Sequence, residues 1–415
     1  MGKLAITGGT PVGGLKMEAW PPVDEQDREA LLRVLEGREW CRVGKEESEV
    51  ARFEESFARY QDARYGIAVS NGTVAIEVAL LAAGVEAGDE VIVPAVTFIA
   101  TAGAVSMTNA VPVFVDVDPD TIGLDPAAVE GAITDRTRGI VAVHYGGYPV
   151  DFDRLLPLAE KHGLFLIEDA AHAHGSEWKG RKVGAIGNAG TFSFQMSKSL
   201  PSGEGGAVLT DDEEFYQRAM LLHNIGRSME SRLYGHVVVA SNYRLSEFQA
   251  ALLESQLRKL PDQVDRKHEN GDWLAAELEK IGGVRPLKRD PRVTKRGYYF
   301  FVMRYDKEQF KGVSRDRFLE AMRAEGMDMF PAYGMPLYAN RAYRKEGRGN
   351  TGPVRVPSLN PGPDYDNMHL PVAERFCYEE QVIMLHHWLL AERPELQKVV
   401  DAVAKVKEHV EELIE

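Results

Sequence analysis

The sequence predicts an α/β protein with a mostly parallel mixed sheet in a large domain and a smaller α+β C-terminal domain. Between about residues 66 and 210, short apolar segments alternate with helical ones. Continuous apolar strands separated by helices are typical of a parallel sheet whose two faces are covered. After about residue 245 the pattern changes to longer amphipathic helices with one strong strand candidate, which is typical of an α+β unit.

The order of the elements follows from these segments. The last two strands of the large domain leave little room for a helix between them, which favours antiparallel pairing of those two. In the C-terminal part, Pro261 is expected to stop one helix before the next begins. The expected strands are 66–70, 90–94, 111–116, 139–143, 164–169, 190–194, 206–210 and 298–303; the expected helices are 75–83, 97–107, 246–260, 262–280, 315–325 and 393–415, with a loop over 331–366.

Length and composition limit the class of protein. The 415 residues exceed one ordinary domain, and we expect a large domain over 1–260, including the N-terminal segment, and a small domain over 261–415. Hydrophobic residues make up 44% and charged residues 27%, enough for a large buried core. The net charge of −14 disfavours nucleic acid as a partner, because phosphate backbones are repelled.

The cysteine count and the lack of long apolar runs indicate a cytoplasmic protein. The two cysteines, Cys41 and Cys377, are too few for a disulfide framework or a cysteine-rich zinc site, which fits a reducing compartment. The first residues lack the apolar core of a signal peptide. No run of roughly 18 apolar residues suggests a membrane span.

The first candidate site motif is the turn Ser70-Asn71-Gly72-Thr73, between an expected strand and an expected helix. Small residues there let backbone N–H groups approach a ligand, and the helix dipole favours an anion. Thr73 adds a hydroxyl donor. The alternative is an ordinary N-cap turn without a ligand.

The second motif follows the strand that ends at Asp169. Ligand crevices of open α/β sheets lie at such strand ends, and a carboxylate there can pair with a protonated ring nitrogen. The alternative is a carboxylate bonded to its own loop. His172 and His174 suggest a metal pair, but in an extended segment side chains two residues apart point to opposite faces, so we expect no shared metal.

The third motif is Lys198, just past a strand that contains Ser193 and followed by a glycine cluster over residues 203–206. Most lysines are solvated surface groups, but a lysine of lowered pKa can form a Schiff base with an aldehyde. The three motifs supply, in this order, an anion site, a carboxylate for a ring nitrogen and an amine. Together they describe a site for a phosphorylated aromatic aldehyde. Pyridoxal 5′-phosphate is the obvious candidate.

With these motifs the chain resembles the DegT/StrS family of sugar and cyclitol aminotransferases, which have the fold type I architecture. The resemblance covers most of the chain. It is carried by residues 8–12, 70–73, 88–94, 97–102, 168–172, 193–195 with Lys198, 203–206, 242–247 and 370–374.

The resemblance implies a role for each matching residue. Lys198 would form the Schiff base with pyridoxal phosphate, and Asp169 would keep the pyridine nitrogen protonated. The other residues implied at the cofactor are Phe98 stacked on the ring, His172 near its phenolic oxygen, Gly72, Thr73 and Ser193 at the phosphate, and Asn242 reaching the phosphate from a partner subunit. The family therefore implies a homodimer with shared active sites. Gln195 occupies a position that varies, and its role stays open.

The implied reaction moves an amino group from glutamine or glutamate to a keto-cyclitol or keto-sugar, in sugar or cyclitol biosynthesis of the kind that yields antibiotics or polysaccharides. Residues 172–175 and 193–198 are similar to the branch acting on keto-cyclitols and aminohydroxybenzoate-type precursors. A nucleotide-sugar aminotransferase is the main alternative. A pyridoxamine-dependent sugar dehydratase would carry histidine in place of Lys198, a regulator would lack the lysine or phosphate residues, and a nicotinamide oxidoreductase would show G-x-G-x-x-G.

Several further side chains are candidates for substrate contacts. Tyr145, His144, Tyr333 and Tyr338 are candidate polyol contacts, although a structural role in a loop is the simpler interpretation. Arg227 and Arg244 are candidates for holding the donor carboxylate, and the alternative is an ion pair at the surface or an interface.

Overall fold

The computed structural model describes residues 2–42, 48–227, 235–344 and 362–414. Within these ranges the helices and strands can be given in chain order. The strands are β1 Tyr65–Val69, β2 Glu90–Pro94, β3 Val111–Val115, β4 Thr137–Val143, β5 Phe165–Asp169, β6 Glu177–Trp178, β7 Arg181–Lys182, β8 Ala189–Ser193, β9 Gly206–Thr210, β10 Val284–Pro286, β11 Val293–Lys295, β12 Phe300–Tyr305 and β13 Gln381–Leu385.

Helices connect β1 through β5 in turn, β9 to β10 and β12 to β13, whereas β5 through β9 and β10 through β12 follow one another without an intervening helix. The α-helices are α1 Glu25–Gly37, α2 Glu49–Tyr60, α3 Gly72–Ala82, α4 Ala100–Met107, α5 Pro126–Gly131, α6 Phe152–His162, α7 Glu213–His223, α8 Glu247–Leu257, α9 Leu260–Ile281, α10 Arg315–Ala324, α11 Pro371–Arg375 and α12 Arg393–Glu408. No helix in the described ranges combines the length and apolar character needed to cross a bilayer.

Seven strands form one mixed sheet in the order β1-β9-β8-β5-β4-β2-β3. Five of these strands pair in parallel, namely β3, β2, β4, β5 and β8 in their order across the sheet. Their almost complete burial explains why they are continuously apolar. β9 runs antiparallel to both β8 and β1. The α/β class is therefore confirmed, and so is the antiparallel pairing expected for the last two strands.

The C-terminal part contains a three-stranded antiparallel sheet in the order β10-β12-β13. Apolar residues of α9, α10 and α12 pack on this sheet and form one buried cluster with it. Leu4, at the start of the chain, is fully buried in the same cluster. Other buried clusters pack on the seven-stranded sheet. The expected domain boundary near residue 260 stays a prediction.

Element boundaries differ from expectation where backbone geometry intervenes. The expected strand 298–303 begins at Phe300 because Tyr298 has φ 43°, a left-handed conformation that a strand cannot contain. Pro261 lies in the first turn of α9, where its missing N–H costs no helical hydrogen bond. The last helix ends at Glu408 and is followed by a 3-10 turn. Much of the expected loop 331–366 lies outside the described residues.

Candidate active site

The site lies where the carboxyl ends of β5 and β8 meet the N-terminus of α3. Asp169 is the last residue of β5 and Ser193 the last of β8, and Asp169 pairs in register with Thr191. Parallel strands bring their carboxyl ends to one edge of the sheet, which is where open α/β sheets bind ligands. The fold therefore brings together the first two motifs and the strand that leads to Lys198.

The turn before α3 forms a narrow cradle with β8 and β9. A Cβ added to Gly72 would lie 2.7 Å from Ser193 Cβ, and one added to Gly206 would lie 2.8 Å from Gly72 N. Neither position has room for a Cβ, so only glycine fits at residues 72 and 206. Asn71 caps the helix, its side chain accepting from Val74 N at 3.0 Å, so the turn has N-cap geometry. The first N–H groups of a helix have no intrahelical acceptor and favour an anion.

Asp169 is a buried carboxylate held in one orientation. Its Oδ2 accepts from Thr101 Oγ1 at 2.8 Å, and its Oδ1 accepts from Ala171 N at 3.2 Å. Its side chain bonds within its own loop, as one interpretation expected, but is also fixed by Thr101 on α4. Burial raises the pKa of the Asp169 carboxyl, while these two hydrogen bonds and the charge of Lys198 oppose the rise.

Lys198 lies in the turn after β8, with Nζ 4.1 Å from the centre of the Tyr299 ring. Burial lowers the pKa of this amine to about 8, and the nearby charge of Asp169 opposes the shift. A lysine of this pKa is partly unprotonated near neutral pH, unlike a solvated surface lysine. Asp169 ends β5 and Lys198 follows the neighbouring parallel strand β8, so the second and third motifs lie at one edge of the sheet.

Tyr299 connects the residues around the amine. Its ring stacks on His172, with centroids 4.2 Å apart and an interplanar angle of 25°. Its hydroxyl is 2.8 Å from Ser197 Oγ, and that serine also donates to Gln195 Oε1. Burial, aided by the charge of Lys198, holds the pKa of His172 well below its usual range, so this imidazole is neutral.

The two histidines of the second motif have separate surroundings. His172 faces Tyr299, whereas His174 is packed among the rings of Phe57, Phe192 and Phe194. In the described part of the chain, no group of three or more potential metal-ligating side chains comes together.

An exposed aromatic ring, that of Phe98, lies beside Tyr333. Phe98 is 54% exposed although it is large and apolar, and its ring centre is 6.4 Å from that of Tyr333. The Tyr333 N–H donates to Gln381 Oε1 at 3.0 Å, which fixes the position of this residue. Burial, followed by the charges of Tyr299 and Asp169, raises the pKa of Tyr333.

Three of the four candidate polyol contacts are structural. His144 is fully buried, with Nε2 3.0 Å from Glu168 Oε2. The hydroxyl of buried Tyr145 accepts from Gln381, and that of buried Tyr338 donates to Glu374. Tyr333 alone among the four is only half-buried.

The segment expected at a subunit boundary packs beside the cradle. Ser70 N donates to Tyr243 O at 2.8 Å, and Arg244 bridges Val69. Asn242 itself is exposed on the surface of its own chain. Arg244 donates to Asn224 Oδ1 at 2.8 Å rather than to a carboxylate. Arg227 is followed by residues 228–234, which lie outside the described ranges.

Sequence reasoning did not single out Thr101 or Tyr299. Thr101 lies in segment 97–102, in the first turn of α4, and its hydroxyl is 3.2 Å from that of Thr97, which precedes the helix. Tyr299 lies in a run of aromatic residues that reads as a buried strand. No local signal distinguishes its contact with Lys198, which depends on packing of β12 against the turn after β8.

This architecture is that of a fold type I aminotransferase. Residues 21–404 match the DegT/DnrJ/EryC1/StrS aminotransferase family, and the chain belongs to that family.

Its relatives match over nearly the whole chain. The sequence is 40% identical over 427 residues to an L-glutamine:2-deoxy-scyllo-inosose aminotransferase of Streptoalloteichus tenebrarius, with 99% of each chain covered. It is 38% identical over 391 residues to a 3-amino-5-hydroxybenzoate synthase of Amycolatopsis mediterranei, with 93% of this chain and 96% of the relative covered. A crystal structure of a 3-amino-5-hydroxybenzoic acid synthase superposes with a TM-score of 0.80 at 37% identity, covering 94% and 99% of the two chains.

The cofactor of this aminotransferase is pyridoxal 5′-phosphate, and the residues present fit that group. The cradle between Gly72 and Ser193 suits a phosphate, since a Cβ at Gly72 would fill it. A buried carboxylate and a desolvated amine lie in the same site. The exposed face of Phe98 is available to a flat ring.

Proposed function

We propose that this aminotransferase moves an amino group from glutamine to a keto-cyclitol of the inosose type. The observation that carries the proposed chemistry is the desolvated Lys198 amine interacting with buried Asp169 beside the cradle. The substrates are inferred from the named relatives, which match the chain from end to end. Glutamate as donor and a nucleotide-linked keto-sugar as acceptor are the competing outcomes.

When bound, pyridoxal phosphate supplies an aldehyde that takes up amino groups and a ring that spreads the charge of a deprotonated carbon. We propose that Lys198 holds the cofactor and then moves the proton between the donor carbon and the cofactor. Its pKa of about 8 suits that role, because a proton-transfer group works best when its pKa is near the working pH.

We propose that Asp169 keeps the ring nitrogen protonated. A buried carboxylate favours a positive charge next to it far more strongly than a solvated one does. Thr101 and the Ala171 N–H hold its two oxygens, so the carboxylate needs no reorganisation during the reaction. His172, neutral and fixed by Tyr299, is proposed to lie near the phenolic oxygen of the ring.

We propose that Gly72, Thr73 and Ser193 bind the phosphate and that Phe98 stacks on the ring.

Replacing Gly72 by alanine tests the cradle. The new methyl group would meet Ser193 Cβ at 2.7 Å, so we expect at least a tenfold loss of cofactor affinity, about the effect of one lost charge-assisted hydrogen bond. Titration of cofactor-free protein with pyridoxal phosphate, followed by absorbance, measures this affinity.

Gly131→Ala is the matched control for that substitution. A Cβ at Gly131, on α5, meets no atom within 4 Å, so the control should bind pyridoxal phosphate as the wild type does. Unchanged affinity in Gly72→Ala would contradict the phosphate assignment.

We further propose a cytoplasmic homodimer in which Asn242 reaches the phosphate of the partner's cofactor. Its side chain, whose Oδ1 accepts from Arg244 N at 3.4 Å, is exposed on its own chain and so is accessible for that contact. Val237 and Val239, close by in sequence, expose 69% and 103% of their surface, and exposed apolar groups of this kind are typical of protein interfaces. Light scattering on the purified protein tests the dimer, and a monomer in the active fraction would contradict it.

We propose Tyr333 as an acceptor contact, since its half-buried side chain lies between Phe98 and Tyr145.

The experiment that tests the function as a whole measures loss of the visible absorbance of the cofactor-loaded protein. Glutamine is expected to remove this absorbance, and a keto-inositol to restore it. Restoration by nucleotide-linked keto-sugars alone would overturn the proposed acceptor, and no response to glutamine would overturn the donor.

A further inference from the structure

Lys267 is a fully buried lysine on α9, behind the turn that carries Lys198. It has 0% exposure, and its Nζ donates to Ser199 Oγ at 3.0 Å and to Tyr298 O at 3.3 Å. These are its two hydrogen-bond partners among the described residues. The proposed function assigns nothing to this side chain.

A buried ammonium of this kind is costly for folding. Nζ has no carboxylate within ion-pair distance in the described ranges, and its charge adds to the lowering of the pKa of His174 and of His386 that burial mainly causes. Desolvation alone lowers the pKa of Lys267 to about 7. Because an unpaired buried charge destabilises the folded state, fold stability does not explain why a lysine stands here.

The contacts of Lys267 point instead to the amine of the site. Ser199 follows Lys198 directly, and Tyr298 directly precedes Tyr299, the residue whose ring contacts Nζ of Lys198. Ser199 Oγ also donates to Tyr298 O at 2.9 Å. On the other side of Lys198, Ser197 Oγ lies 2.8 Å from the Tyr299 hydroxyl. The neighbours of Lys198 on both sides are therefore bonded to residues 298–299, and we name these contacts the lysine clamp.

We propose that Lys267 is a positioning residue for Lys198, which it holds against Tyr299 by bonding to Ser199 and to the Tyr298 carbonyl. By donating to Ser199 Oγ, it directs the serine's own hydrogen to Tyr298 O. It touches neither cofactor nor substrate. The inference rests on the proposed function only for the importance of Lys198; the clamp itself is a property of the chain.

Lys267→Met tests the proposal, because methionine fills a similar volume without charge or donors. We expect kcat to fall at least tenfold with KM changed less than threefold, since the substrate contacts stay in place. In cofactor-free protein, the pKa of Lys198 should rise from about 8 toward its ordinary value as the amine loses its buried position. The pH dependence of Lys198 acetylation, read by peptide mass spectrometry, measures that pKa. The Tm should stay unchanged or rise.

Lys405→Met is the matched control, a second buried lysine far from the site. Its Nζ bonds to buried Glu325 at 2.8 Å and to Thr10 O. Removal of one partner from a buried ion pair is strongly destabilising. The control should therefore lose several degrees of Tm and keep kcat and the pKa of Lys198, the opposite pattern to that of Lys267→Met.

Ser199→Ala decides the matter if Lys267→Met does not fold. It removes the shared oxygen of the lysine clamp and should shift the pKa of Lys198 in the same direction, with a smaller loss of kcat. A kcat within twofold of wild type together with an unshifted pKa of Lys198 would overturn the proposal. Borohydride reduction of the cofactor-loaded wild type tests the proposed function separately. If the cofactor is then found attached to another lysine, the proposed function is refuted. The lysine clamp would still be tested by the pKa of Lys198.

Discussion

Replacing Lys198 by alanine is expected to lower kcat for transamination by at least ~10³-fold, within the range that a positioned proton-transfer group contributes. The substitution removes the amine whose charge acts on the Asp169 carboxylate. It also removes the group proposed to hold the cofactor, so borohydride reduction should no longer attach the cofactor to the protein. Steady-state rates with glutamine and a keto-inositol, at saturating cofactor, measure the loss.

Three comparisons separate the chemistry of Lys198 from its charge and volume. Lys198→Arg keeps a cation but cannot give up its proton near neutral pH, and should be about as inactive as the alanine variant. Lys288→Ala removes an exposed lysine paired with Asp120 and should behave as wild type. Methylamine should restore part of the activity of Lys198→Ala, because a free base can enter the vacated space. Near-normal turnover by Lys198→Ala without added amine would refute the assignment.

The Asp169→Asn variant is expected to lose about 10²–10³-fold in kcat, the usual cost of removing one preorganised electrostatic group. Asparagine has the same shape and can still accept from Thr101 or Ala171, so the substitution removes mainly the charge. Without it, the ring nitrogen loses its proton more readily and the ring stabilises a carbanion less well. Weaker binding of pyridoxal phosphate should accompany the loss of rate.

Stability measurements distinguish this effect from misfolding. Burial raises the pKa of Asp169 in the folded state, so the charged carboxylate costs folding free energy at pH values above that pKa. Cofactor-free Asp169→Asn should therefore be as stable as wild type at neutral pH, or more so. Asp169→Glu keeps the charge and should recover part of the rate. Wild-type kinetics in Asp169→Asn would exclude the proposed role at the ring nitrogen.

Local sequence patterns predicted the sheet well because they reflect burial directly. Strands such as β2 and β3 are buried on both faces and so are apolar at every position. The glycine at position 72 and the capping Asn71 mark the turn before α3 because only certain residues tolerate that geometry. The sequence predicts the start of β12 two residues too early, since aromatic composition does not reveal the left-handed backbone of Tyr298.

What the sequence determined by itself is the class of fold and a set of candidate reactive groups. Family motifs and the short-range chemistry of strand ends gave Asp169, Lys198 and the turn at Gly72. What only the tertiary structure decided is how those groups are held: Thr101 on Asp169, Tyr299 between His172 and Lys198, and Lys267 behind the turn. These contacts join residues 68 to 127 positions apart along the chain. They depend on the packing of whole helices and strands, which no local pattern encodes.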